Sequence, residues 1–201
     1  MNEMSHRLPD ISVLRDRCRA LAMLDAIVSP EWADRYYSFN SDWAEDEEMA
    51  SMRNGSGDDW FIVFSPTGVY GRAFDHEAPK APEVLAAVPV VFDSYIREPA
   101  FADHNGTPMA TACFWRTPDD AAWGVSAASQ SDAGLFDLLV DGTPEAYQHF
   151  AADYYETDIS LSAVQHVYAL HPLTATVVAE INPDVELDDL DEDIDQIGYP
   201  R

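Results

Sequence analysis

Asp75, His76 and Glu77 form the one place in the chain where an imidazole is flanked by two acids. A carboxylate beside an imidazole can orient it as a base or a metal ligand. Neighbours in a strand point to opposite faces, however, so these three do not converge unaided. A surface histidine at a strand end is the plainer reading. His104, His149, His166 and His171 stand singly, and neither HxxxH nor HExxH occurs.

Cys113 falls in an apolar strand and Cys18 in a helix, and buried reduced thiols are the expectation for both. There is no G-x-S-x-G, and no glycine-rich phosphate loop precedes a helix. The run DVELDDLDEDID places acids at calcium-loop positions counted from Asp184. Its sixth position is Asp189 where such a loop needs glycine, and its twelfth is Asp195 rather than a bidentate glutamate. The leucines keep helical spacing through the run, so a solvated acidic helix face is preferred. We expect no catalytic residue, no metal and no cofactor.

Charge is the strongest compositional feature, with 37 acids against 11 bases and a formal net charge of -26 in 201 residues. It is uneven: residues 143–201 hold 13 acids and a single base, Arg201. Such a field repels nucleic-acid phosphate and anionic lipid, and attracts a basic protein. The competing reading is that acidity serves solubility alone. No run approaches the ~18 apolar residues of a membrane span, and the start MNEMSHRLPD has no apolar signal region, so a cytoplasmic protein is expected.

The elements that must position these residues follow from periodicity. Ile11, Leu14, Cys18, Leu21 and Leu24 recur at helical steps over 9–28. Tyr37, Phe39, Ser41 and Trp43 alternate as a strand. A three-strand meander follows over 47–77, with turns at Asn54-Gly55-Ser56-Gly57 and Pro66-Thr67-Gly68. Its middle strand is apolar on both faces, as a central strand should be: Trp60, Ile62 and Phe64 one way, Phe61 and Val63 the other. Short helices are expected at 83–88 and from Pro89, then strands at 109–117 and near 123–126. Trp43, Trp60, Trp115 and Trp123, without interleaved basic residues, read as core residues of the sheet rather than a nucleic-acid platform.

From Ser129 onward the chain reads as helices. Asp132 is expected as a cap, Thr143-Pro144 as a helix start, and Ser162 with Gln165 as a capping box. A last helix is expected over 184–197, with Leu187, Leu190, Ile194 and Ile197 inward. The order argues an α+β fold: an antiparallel sheet flanked by an N-terminal helix and a C-terminal group of helices. The expected organisation is one domain, 1–201, with a helix-plus-sheet part to 128 and an acidic helical part, 129–201, packed on it.

GSGDDWFIVFSPTGVYGRAFDHE, EPAF at 98–101, CFWR at 113–116 and the terminal IGYP together resemble a family of uncharacterised bacterial proteins. The resemblance covers most of the chain. It implies a soluble bacterial protein and carries over no activity or catalytic residue.

The reading that follows is a non-enzymatic acidic binding protein, such as an immunity or inhibitor protein for a basic protein partner. Asp188, Asp189, Glu192 and Asp193 are its candidate docking residues. The rivals are an enzyme with a site around Asp75, His76 and Glu77, and a housekeeping domain whose acidity serves only solubility. An immunity protein should be encoded beside a toxin-like gene, whereas an enzyme should show a concave pocket with convergent polar groups.

Overall fold

The structure, a computed structural model, describes residues 7–78, 82–127 and 134–201. Lys80 and the expected cap Asp132 lie outside the described residues. The fold is α+β. One helix, α1 (Ile11–Val28), precedes a six-stranded antiparallel sheet, and a group of helices follows it. The strands β1 (Tyr37–Ala44), β2 (Glu47–Arg53), β3 (Asp59–Ser65), β4 (Gly68–Phe74), β5 (Ala112–Arg116) and β6 (Gly124–Ala127) lie in the sheet in sequence order. Short helices α2 (Glu83–Ala86) and α3 (Asp93–Ile96) connect β4 to β5. After the sheet come α4 (Asp137–Asp141), α5 (Pro144–Tyr154), α6 (Leu161–Tyr168), α7 (Ala175–Ile181) and α8 (Asp191–Ile197).

By contacts the chain divides into two compact units, one of residues 1–8 and 43–136, the other of 9–42 and 137–201. In the first, β3 pairs with both β2 and β4, and both its faces are buried, as its two-sided apolar pattern requires. Pro66 and Thr67 close the β3–β4 hairpin, with Ser65 paired to Gly68. That register sets Asp59 against Phe74, and so brings the turn before β3 alongside the residues after β4. Phe61 and Val63 join Tyr70, Phe92, Tyr95 and Phe101 in one core cluster. Trp60 tilts against Phe136, with ring centroids 6.0 Å apart, and donates its indole N–H to the Leu135 carbonyl at 2.9 Å.

In the second unit, α1 contacts α4, α6, α7 and α8. Its apolar stripe meets the stripes of these later helices. Asn182, expected only as a helix stop, also donates from Nδ2 to the Ile27 carbonyl at 2.9 Å and so ties down the end of α1. Thr143 caps α5 as its sequence predicts, accepting from the Ala146 amide. The Ser162–Gln165 capping box does not form: α6 begins two residues earlier than that box would start it, with Ser160 at its N-cap. The expected 184–197 helix is a 3-10 turn, Leu187–Leu190, followed by α8. Glu186 and Asp189 exchange side-chain-to-backbone bonds there, which starts the helical segment three residues after Asp184. Leu190, Ile194 and Ile197 are buried, as their spacing requires. Among the described residues no helix is long and apolar enough to cross a membrane.

Candidate functional site

The β3–β4 register places Asp58 beside His76. His76 Nδ1 lies 2.6 Å from Asp58 Oδ1, and the His76 backbone N–H donates to the same oxygen at 2.9 Å. An ionised carboxylate only accepts, so Nδ1 carries the proton and Nε2 is the ring atom left for other chemistry. Asn54 donates from Nδ2 to Asp58 Oδ2 at 2.6 Å, and its own Oδ1 accepts the Asp58 amide, which locks the turn. Gly57 has φ of 116°, and a Cβ there would sit 3.4 Å from His76 Cγ, so glycine lets the turn pass under the imidazole.

The ligand atoms of Asp58, Asp75 and His76 all lie within 4.8 Å of one another. Glu77 does not join them in that group; its amide donates to Asp75 Oδ1 at 2.8 Å. Partial burial pushes the Asp58 carboxyl up, but the bonds from His76 and Asn54 outweigh it and hold it below the ordinary value. The Asp58 bond in turn raises the His76 imidazole. The arrangement is an oriented, exposed histidine with two carboxylates. It can take up a proton or offer three ligand atoms to a divalent ion.

The acidic docking residues have different surroundings from one another. Asp193 is gripped by Arg35, whose Nη1 meets Oδ1 and whose Nη2 donates to Oδ2 at 3.0 Å. Asp189 accepts the Glu186 amide at 3.0 Å. Asp188 and Glu192 are exposed and make no hydrogen bond or ion pair among the described residues. Nearby, Arg201 clips Asp191 at 2.9 Å and Asp195 at 2.7 Å. The IGYP terminus supports this clip. Gly198 ends α8 in the left-handed conformation, and the Tyr199 hydroxyl donates to the carbonyls of Val167 and His171.

Two buried polar arrangements escaped the sequence reading. Asp25 is fully buried on α1 and accepts from the Tyr147 hydroxyl at 2.7 Å, the Tyr155 hydroxyl at 2.8 Å and the Tyr37 amide at 2.6 Å. Burial pushes its carboxyl up to about 6 against the pull of those bonds. Arg72, only 2% exposed, pairs with Asp59 at 2.6 Å and lies over the Phe61 ring, 4.8 Å from its centroid. The signal for Asp25 was a charge within the buried stretch of an amphipathic helix. Both cysteines are buried and free; burial pushes the Cys113 thiol up to about 12, which makes it a poor nucleophile.

Comparison with protein-family models, with curated proteins and with solved structures finds no match to this chain.

Proposed function

We propose that this chain is a non-enzymatic acidic binding protein, of the immunity or inhibitor kind, that docks on a basic protein. The disposition of its arginines supports the reading. Arg17 donates to the carbonyls of Leu139 and Val140, Arg35 holds Asp193, and Arg72 is buried against Asp59. Arg97 pairs with Asp93, Arg116 reaches the Asp120 carbonyl, and Arg201 clips Asp191 and Asp195. Arg19 and Arg53 lie over phenylalanine rings. With these eight arginines engaged within the chain, carboxylates such as those of Asp188 and Glu192 face outward. A field of one sign speeds encounter with a partner of the other and disfavours partners of the same sign. The test is co-expression with each gene that neighbours this one in its source genome. One neighbour should encode a basic protein whose expression arrests growth, and this chain should restore growth. If no neighbouring product binds the chain, the reading fails.

A second reading, a site around Asp75, His76 and Glu77, gains support from Asp58, which turns a lone histidine into an oriented one. Calorimetric titration with zinc tests it. Stoichiometric binding that His76→Ala removes supports a metal-dependent site; its absence leaves that site without a metal role.

A further inference from the structure

The first unit contains an open cavity of about 280 Å³, lined by Phe74, Leu85, Pro108, Met109, Ala110 and Asp103 among others. Its walls are mostly apolar, and Asp103 is its one charged lining residue among the described residues. The hydroxyl of Thr111, which also lines it, is occupied: it accepts from the Asp75 amide at 3.0 Å and donates to the Ala73 carbonyl at 3.3 Å. Polar groups therefore do not converge here as a reaction site needs. The lining suits an apolar body with a single polar end.

Asp103 is held in place by a closed turn. Its Oδ1 accepts the amides of Asn105 at 2.8 Å and Thr107 at 2.9 Å, and its own amide donates to the Thr107 carbonyl at 2.9 Å. Ala102 and Pro108 bridge the base of the turn, and Gly106 takes φ of 78° at its tip. The bond from the Thr107 amide leads those that keep the Asp103 carboxyl below its ordinary value, so it stays ionised at neutral pH. The Asp103 carboxylate is partly exposed beside the preformed cavity, where the cationic end of a ligand can pair with it, and among the described residues no cation lines the site.

We propose that this cavity is a binding site for a small organic cation: an aromatic or branched aliphatic body seated between Phe74, Leu85 and Met109, with its ammonium group paired to Asp103. The site is independent of any protein partner. An anionic ligand is disfavoured by Asp103 and by the net charge of -26.

Three probes of matched size separate the contributions: 2-phenylethylamine, 2-phenylethanol and phenylacetate, each titrated into the full chain and followed by amide NMR shifts at Thr107, Ala110 and Thr111. The amine should bind about tenfold more tightly than the alcohol, and phenylacetate should not bind. Asp103→Asn keeps the acceptor oxygen of the turn, so it should fold normally and bring amine and alcohol to equal affinity. Leu85→Trp, which fills the cavity, should abolish binding of both. If Leu85→Trp unfolds the chain, Met109→Trp serves the same purpose. Equal affinity for the three probes, no binding at millimolar concentration, or amine binding that survives a filled cavity would each overturn the proposal.

Discussion

Arg35 holds Asp193 through both terminal nitrogens of its guanidinium, across 158 residues of chain. The same guanidinium donates from Nε to the Ser29 carbonyl at 2.9 Å and from Nη2 to the Pro30 carbonyl at 2.7 Å, so one side chain ties the end of α1 to α8. A residue that the sequence offers as a docking charge thus also ties two helices together. Asp193→Asn keeps the shape and removes the charge. It should cost about 1–3 kcal/mol in urea denaturation, because a largely buried guanidinium loses its charged partner. Asp188→Asn and Glu192→Gln, at exposed positions of a strongly acidic segment, should change stability by less than about 0.5 kcal/mol.

The Asp25 carboxyl makes a pH prediction. Its folded value of about 6 lies above the ~3.9 of an unfolded aspartate. Between those values the folded chain keeps a proton that the unfolded chain has released. Its contribution therefore favours folding most below pH ~4, declines as pH rises to about 6, and is level above that. Asp25→Asn removes this slope. It also turns an amide N–H₂ toward the donors Tyr147, Tyr155 and the Tyr37 amide, at a cost of about 1–3 kcal/mol. Urea midpoints of both proteins from pH 4 to 7 should show wild type falling relative to the variant as pH rises, so that any advantage of wild type at pH 4 shrinks toward pH 7.

The central strand is expected to dominate the stability of the first unit. Trp60, Ile62 and Phe64 are buried on one face of β3, and Trp60 also loses its bond to the Leu135 carbonyl when truncated. Each alanine substitution should cost about 2–5 kcal/mol, with Trp60→Ala at the upper end. A loss under about 1 kcal/mol at any of the three would show that the site collapses freely.

How much of this was legible depends on the range of each interaction. The meander, the two-sided β3 and the inward stripe of Leu190, Ile194 and Ile197 are local patterns, and periodicity shows them directly. Asp58 beside His76 needed one more step. The two-residue Pro66-Thr67 hairpin fixes the β3–β4 register, and counting back along it sets Asp58 against Asp75, one residue from His76. The bond between Arg35 and Asp193, and the tyrosine cage around Asp25, join segments far apart in the chain, and no local pattern encodes them. The acidic run pulled the reading toward one helix with a uniform outer face. The reciprocal bonds of Glu186 and Asp189 break it into two pieces with different duties.

The Asp58–His76 pair predicts a titration. The bond from Asp58 raises the His76 imidazole above its ordinary value, so Asp58→Asn should move the NMR titration of His76 to lower pH. An unshifted His76 would mean that the pair does not persist in solution.

Outward carboxylates of the last helical segment are proposed to guide the chain onto a basic protein. The direct measurement is the association rate with the basic product of a neighbouring gene, for wild type and for the Asp188→Asn, Glu192→Gln double variant, at about 0.1 M and 1 M salt. Over that range the Debye length falls from about 10 Å to about 3 Å. The variant should associate more slowly at low salt, differ little at high salt, and dissociate at a similar rate throughout. Equal association rates at low salt would contradict it and leave solubility as the role of these charges.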